Sequence, residues 1–167
     1  MTDPIAQFVD EHEFLSNFWP GVVLFDGRRY PSVEHAYQAA KTFDRKERAA
    51  VRAAISPGRA KRLGSRVTLR PDWDDVRYDL MDGLLRQKFG DPVLAGRLVA
   101  TAPAELVEGN TWHDSYWGVC GCGREACENL GQNHLGRLLM AIRDELVLGR
   151  SAPPTPSPSA RSRSPHA

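Results

Sequence analysis

Glu34, Gln38 and Lys41 have side chains and a spacing that suit chemistry on one surface. They are separated by four and three positions, and because an α-helix turns about every 3.6 residues, a helix would align all three on one side. A carboxylate can transfer protons or stabilise a cation, and an amine without its water shell can attack carbon. Surface helices also carry such faces, so the spacing alone leaves a solvated helix as the alternative.

The position of Glu34 predicts its ionisation state. It lies in the first turn of the expected helix, where the helix dipole stabilises an anion. We therefore expect an ionised carboxylate that acts as a base or stabilises a cation. An acid at this position would require burial that raises its pKa against the dipole.

Two other segments are dense in polar and aromatic side chains. In residues 14–19, Asn17 lies inside an aromatic run and could present its amide to a ligand beside Phe18, with a turn in an aromatic core as the alternative. Residues 108–118 place two Trp, one Tyr and three titratable groups within 11 positions, a density that favours function over a structural loop. Glu108, His113 and Asp114 are possible proton carriers there, and Trp112 or Trp117 could stack on a heterocycle.

Two weaker signals come from the expected helix ends. Lys61 and Arg62 follow Ser56-Pro57, a typical helix start, and a helix N-terminus beside cations favours phosphate binding, although basic surface clusters are common. Asn133 precedes the last expected helix, where it could cap the helix or face a ligand. Capping is the more common role of the two.

Cys120, Cys122 and Cys127 lie within eight positions, with His113 and His134 nearby. Zinc is one interpretation, but the spacing differs from the usual Cys-x-x-Cys pair. An odd number of cysteines in one segment also does not resemble a disulfide framework and suits a reducing compartment. We expect free reduced thiols, no metal and no cofactor.

The rest of the sequence predicts the elements that position these side chains. Residues 22–25 and 28–30 flank Asp26-Gly27, which is the pattern of a β-hairpin with a tight turn. Capping residues and apolar spacing predict helices over 33–43, 45–54, 57–64, 72–89, 91–100 and 133–148. Short strands are expected at 67–69, 105–108 and 116–119. The prediction is an α+β, mostly helical single domain with a few short strands.

Composition limits the class of protein. The chain has 167 residues, 41% of them apolar, which is enough for a core without disulfides. A formal net charge of +1 gives no overall basic field for nucleic acid. No signal sequence or long apolar run is present, so we expect a cytoplasmic protein without a membrane partner. Residues 1–149 should form the domain, and the Pro/Ser-rich tail 150–167 should be disordered.

Taken in their order along the chain, the polar and aromatic segments described above resemble the NADAR family of N-glycosidases over about residues 8–148. The most specific motifs are Glu-His-Ala-Tyr-Gln at 34–38, Tyr-Trp-Gly at 116–118 and Asn-x-Leu-Gly at 133–136. The cysteine-containing segment 120–129 departs from the family pattern. That departure bears on loop shape and substrate access, and it removes no motif residue.

The resemblance implies hydrolysis of the bond between ribose C1 and an exocyclic amino nitrogen of a heterocycle. Two substrate classes are associated with the family: small phosphoribosylamino-pyrimidine intermediates of riboflavin biosynthesis, and ADP-ribose attached to guanine in nucleic acid. The net charge of +1 favours the small molecule. A non-catalytic ADP-ribose-binding module and a zinc-binding interaction protein are further alternatives.

The resemblance also implies roles for individual residues. Glu34 and Asp114 would supply a carboxylate near C1 and an acid near the leaving nitrogen, which an oxocarbenium-like transition state requires. Lys41 could instead attack the ring-opened C1 and form a Schiff base. The residues implied in substrate binding are Asn17, Phe18, Gln38, Lys61, Arg62, Glu108, Tyr116, Trp117, Gly118 and Asn133.

Within that set, the implied contacts differ by chemistry. Trp117 would stack on the heterocycle, since aromatic rings bind planar bases by their faces. Asn17 and Asn133 would hold sugar or base edges. Lys61 and Arg62 would bind phosphate.

Overall fold

Helix α1 (Val33–Ala40) lies at the centre of the structure, and the hairpin and three other helices pack against it. The Ser32 hydroxyl accepts the backbone N–H of His35 and caps the helix as predicted. Every residue of α1 is buried, including Glu34 at 5% and Gln38 at 4% exposure. The solvated-helix alternative is therefore wrong, because the polar face is covered by other elements.

A computed structural model describes residues 2–127 and 131–151 of the chain. Within these ranges the chain forms six α-helices, two 3-10 helices and two two-stranded sheets. The remaining α-helices are α2 (Arg45–Arg52), α3 (Pro57–Gly64), α4 (Trp73–Lys88), α5 (Pro92–Ala100) and α6 (His134–Ser151). The strands are β1 (Val23–Phe25), β2 (Arg28–Tyr30), β3 (Gly109–Asn110) and β4 (Val119–Cys120), and the 3-10 helices are Asp10–Leu15 and Glu125–Cys127.

The predicted hairpin is present. β1 and β2 pair antiparallel with Val23 opposite Tyr30, and Asp26 and Gly27 have the positive φ angles, 48° and 68°, of a tight turn. The Gln87 side chain accepts the N–H of Leu24 and donates to its carbonyl oxygen, at 2.7 and 3.0 Å. These two hydrogen bonds attach the hairpin to α4.

Three strand predictions were wrong, one because no strand forms and two in position. No strand forms at 67–69, because the N–H and hydroxyl of Thr68 donate to the Glu47 carboxylate instead of a strand partner. The strands near the site are the parallel pair β3 and β4 rather than 105–108 and 116–119. Residues 116–118 instead form a turn, since Asp114 Oδ1 accepts the N–H groups of Tyr116 and Trp117.

The last helix, α6, contributes its predicted apolar stripe to the core. Leu135, Leu138, Leu139 and Ile142 are all buried, and the helix packs on α5. Helix α6 continues to Ser151, two residues beyond the predicted domain boundary. The rest of the predicted tail, 152–167, lies outside the described residues.

The chain is thus mostly helical with short strands, as predicted. In residues 2–127 and 131–151, no helix combines the length and the apolar character needed to cross a membrane.

Candidate active site

A cavity of about 530 Å³ lies beside α1, within the size range of small-molecule sites. Its walls come from the N-terminal segment, α1, α3, α4 and the 108–117 segment. The predicted site residues that line it are Asn17, Phe18, Glu34, Gln38, Lys41, Lys61, Glu108, Asp114, Tyr116 and Trp117. The fold therefore brings together groups separated by up to about 100 positions in the sequence.

Arg62 is predicted to bind phosphate, but it does not line the cavity. Consecutive helix residues point about 100° apart, so α3 directs Lys61 into the cavity and leaves Arg62 exposed. The basic pair thus contributes one cation to the site rather than two.

Gly118 and Asn133 also lie outside the cavity lining, where they hold Glu108. A Cβ at Gly118 would collide with the Glu108 carbonyl oxygen, so only glycine permits this close approach. Asn133 Oδ1 accepts the N–H of Glu108 at 3.0 Å, and its Nδ2 donates to the Leu106 carbonyl oxygen at 2.9 Å. Two roles were open for Asn133, capping of α6 and contact with a ligand. Its side chain does neither, because it is held by the backbone of Glu108 and Leu106.

The ionised state predicted for Glu34 is not supported by its surroundings. Burial raises the pKa of Glu34, and the hydrogen bond from Gln38 and the charges of Lys61 and Lys41 oppose that rise only in part. Gln38 Nε2 donates to Glu34 Oε1 at 2.8 Å. Loss of water around the carboxyl group thus outweighs the favourable position in the first helical turn. Glu34 is a carboxyl group suited to carrying a proton.

The close packing of α1 against α3 fixes the orientation of Gln38. A Cβ at Gly64 would collide with the Gln38 side-chain amide, so the missing side chain of Gly64 leaves the space that this amide fills. Because Gln38 in turn holds Glu34, the glycine at the end of α3 indirectly positions the buried carboxyl group.

Lys41 ends the polar face of α1 as its C-cap residue. Burial lowers its pKa, while the charge of Glu34 acts in the opposite direction. Its Nζ lies 5.6 and 5.9 Å from the ring centroids of Tyr37 and Trp73, aromatic surroundings that exclude water. A lysine with a lowered pKa has more of its amine in the neutral, nucleophilic form.

Glu108 is a second carboxyl group with altered acidity. Burial raises its pKa to about 7; the charge of Asp114 acts in the same direction, and that of Lys61 in the opposite one. A carboxyl group that titrates near neutral pH can donate or accept a proton during turnover. The resemblance implied that Glu108 binds substrate. Its surroundings indicate that it can also transfer a proton.

Asp114 is held by the loop that contains it. Its Oδ1 accepts the N–H groups of Tyr116 at 3.2 Å and Trp117 at 2.8 Å. The Asn110 side chain closes the loop, donating to the Asp114 carbonyl oxygen and accepting the Asp114 N–H. Sequence reasoning missed Asn110, because its role depends on a loop closure that no local pattern reveals.

Trp117 lies in an aromatic cluster rather than standing free. Its ring is stacked on Tyr78 with an interplanar angle of 13°, and its Nε1 donates to the Tyr37 hydroxyl at 2.9 Å. It lines the cavity, but one face is already covered. The exposed rings that also line the cavity are those of Phe18 and Trp112.

Trp112, one of the two rings considered for stacking, and Arg77, which sequence reasoning missed, also line the cavity. The Lys61 Nζ lies 4.7 Å from the Trp112 ring centroid, and the Arg77 guanidinium lies 3.7 Å from the Tyr116 ring centroid. Trp112 belongs to the polar and aromatic segment that the sequence singled out. Arg77 lies on α4, where its charge resembled that of any exposed helix residue.

Three buried acceptor atoms in the lining have no hydrogen-bond partner among the described residues: Asn17 Oδ1, Gln38 Oε1 and Glu108 Oε2. Buried polar atoms are nearly always paired, because leaving one unpaired costs about 1–3 kcal/mol. Part of the hydrogen-bonding capacity of three site residues is therefore left unused in the wall of the cavity.

Comparisons with known proteins agree with the geometry. A family model described as NADAR domain matches residues 6–147. N-glycosidase YbiA of Escherichia coli (strain K12) is 40% identical over 156 residues, covering 89% of this chain and 92% of that protein. Riboflavin biosynthesis protein VVA0006 of Vibrio vulnificus (strain YJ016) is 38% identical over 140 residues, covering 82% of this chain and 36% of that protein.

The fold has a counterpart among solved structures. The NMR structure of the Escherichia coli protein YbiA matches with a TM-score of 0.76 at 37% identity, covering 93% of this chain and 92% of that one. This match confirms the predicted mixed α+β fold. With the family match over residues 6–147, it shows that the chain belongs to the NADAR domain family.

Proposed function

We propose that this chain hydrolyses the bond between ribose C1 and the exocyclic amino nitrogen of phosphoribosylamino-pyrimidine intermediates of riboflavin biosynthesis. The broader class, a hydrolase acting on N-glycosyl bonds, is confirmed by family membership and by relatives named N-glycosidase. The name of the Vibrio relative, a riboflavin biosynthesis protein, supports the finer assignment of substrate.

One observation carries the proposal: α1 presents a buried carboxyl group and a partly buried amine to the same cavity. Glu34 and Lys41 line it together, and burial favours the neutral form of each. A site that only binds a ligand gains nothing from keeping an acid and an amine close to neutral. A site that breaks a C–N bond can use both, the acid to protonate the leaving nitrogen and the amine to attack C1.

We infer that Lys41 acts as a nucleophile. In an aminoriboside the nitrogen lone pair can expel the ring oxygen, which becomes a hydroxyl with the proton that the nitrogen gives up, leaving C1 doubly bonded to nitrogen. The neutral Lys41 amine adds to C1, and the bond from C1 to the heterocycle nitrogen breaks as that nitrogen takes a proton from a carboxyl group. Water then hydrolyses the imine between C1 and Nζ, which releases ribose 5-phosphate and restores the amine.

The three carboxyl groups in the cavity have different roles in this mechanism. Glu34 lies on the same helix face as Lys41 and is suited to exchanging protons with the attacking and leaving nitrogens. Glu108, with a pKa of about 7, can activate the water that hydrolyses the imine. Asp114 is oriented by two backbone N–H groups and can stabilise the positive charge that develops at C1.

A direct assay of the purified chain on both candidate substrates tests the proposal. We expect release of ribose 5-phosphate from the phosphoribosylamino-pyrimidine with a kcat/KM at least tenfold above that for ADP-ribosylated guanine in DNA. The reverse preference would reassign the substrate to modified nucleic acid. Binding of ADP-ribose without turnover of either substrate would instead support a binding module.

The proposed phosphate contact of Lys61 can be tested with its neighbour Arg62 as the matched control. Lys61→Met should raise KM for the phosphorylated substrate roughly 10- to 100-fold, because a charge-assisted hydrogen bond contributes about 1.5–3 kcal/mol. Arg62→Met should change KM less than twofold, since Arg62 is exposed outside the lining. Steady-state kinetics on phosphorylated and dephosphorylated ribosides measure the difference. Equal effects of the two substitutions would contradict the assignment of Lys61 to phosphate.

A further inference from the structure

Four side chains with metal-binding atoms converge at the edge of the cavity: His113, Cys120, Cys122 and Cys127. Their ligand atoms all lie within 4.8 Å of one another. The His113 Nδ1 lies 3.7 Å from Cys120 Sγ, 3.5 Å from Cys122 Sγ and 3.1 Å from Cys127 Sγ. The sequence interpretation favoured free thiols, and the fold instead collects all three thiols around one imidazole.

These distances match the edges of a zinc tetrahedron. With Zn–S near 2.3 Å and Zn–N near 2.05 Å, a nitrogen and a sulfur on adjacent vertices are about 3.5 Å apart. The three observed N–S distances, 3.1, 3.5 and 3.7 Å, lie on both sides of that value. Three thiolates and an imidazole form a soft donor set that favours zinc over magnesium or calcium. We propose that this Cys₃His cluster binds one Zn²⁺.

The backbone accounts for how the cluster forms despite its unusual spacing. β3 and β4 pair in parallel with Asn110 opposite Cys120, which brings the loop after β3 next to the cysteines. The 3-10 helix Glu125–Cys127 then presents the last thiol. The ligands therefore come from three separate turns of the chain, which a search for Cys-x-x-Cys pairs does not detect.

The backbone at His113 is compatible with the cluster. His113 has a φ of 68°, a left-handed conformation in which His, Asn and Asp are enriched among residues other than glycine. The zinc assignment therefore depends on the N–S distances and on the donor set.

The site is structural rather than catalytic. Four protein ligands fill a tetrahedral zinc site and leave no position for a reactive water molecule. His113 lies between Trp112 and Asp114, which both line the cavity. A metal at His113 would therefore hold the loop that carries these two residues, without touching the substrate.

Metal binding by the full chain tests the proposal directly. We expect reduced, metal-free protein to bind one Zn²⁺ per chain and all three cysteines to become protected from a thiol reagent. Co²⁺ in its place should give the intense visible absorption of a tetrahedral centre with thiolate charge transfer. These measurements need no variant, so they do not depend on whether a substituted chain folds.

Variants identify the ligands. Cys122→Ser and His113→Asn should each weaken Zn²⁺ binding by at least about 100-fold, because each removes one of four ligands. His12→Asn, an equivalent change outside the cluster, should alter it less than twofold. Failure of the parent chain to bind zinc, unchanged thiol reactivity on zinc addition, or equal zinc binding by His113→Asn and His12→Asn would each overturn the proposal. The outcome is independent of whether the substrate assignment holds.

Discussion

Glu34→Gln should lower kcat by about 10³-fold or more, as expected when a group that transfers protons in the reaction is lost. The amide has the size of the carboxyl group, and its oxygen can still accept the hydrogen bond from Gln38 Nε2. Because Glu34 is buried and its neutral form is favoured, a neutral amide should leave the free energy of unfolding nearly unchanged. Steady-state kinetics and thermal denaturation of the same preparation measure both effects.

Glu105→Gln is the matched control for this prediction. Glu105 is exposed and does not line the cavity, so the substitution removes one negative charge without altering the site. Its kcat should stay within twofold of the parent. If Glu34→Gln retained more than a tenth of the parent kcat, Glu34 would carry no proton in the reaction.

Lys41→Ala should lower kcat by about 10³-fold or more, because it removes the proposed nucleophile. It should also abolish a covalent adduct that the parent chain forms with substrate under borohydride. Borohydride reduces an imine to a stable secondary amine, so mass spectrometry of the digested parent should find a ribose phosphate attached to Lys41. The lowered pKa of Lys41 supplies the neutral amine that this chemistry needs.

Two further lysine variants separate covalent from electrostatic roles. Lys41→Arg keeps the positive charge but cannot form the imine, so it should be as inactive as Lys41→Ala. Lys61→Met should still form the adduct at Lys41, since Lys61 is assigned to phosphate. An active Lys41→Arg variant, together with no adduct in the parent during turnover, would show that water attacks C1 directly.

Elements with strong local signals were predicted well from sequence. The Ser32 cap, the Asp26-Gly27 turn and the apolar stripe of α6 each depend on residues within a few positions of one another, and each was confirmed. The β3–β4 pair was missed because both strands have only two residues. Pairing at that length depends on the loops at its ends rather than on a periodic pattern.

The surroundings of the candidate site residues were harder to predict than which residues line the cavity. Local rules placed Glu34 at the favourable end of a helix dipole, but its burial results from α2, α3 and α4 packing around α1. Asn133 and Gly118 were expected to bind substrate but lie outside the cavity lining, and their contacts with Glu108 arise only when α6 and β4 approach it. Desolvation and long-range contacts are properties of the assembled fold.

The three carboxyl groups in the cavity have a consequence for substrate binding itself. Glu34, Glu108 and Asp114 interact through their charges, and Glu108 has a pKa of about 7. A phosphate dianion entering beside Glu34 and Glu108 would raise the pKa values of these two groups further, because like charges disfavour ionisation. Binding is then coupled to proton uptake from solvent. With the proposed phosphorylated substrate, occupancy of the cavity and protonation of these carboxyl groups should therefore rise together.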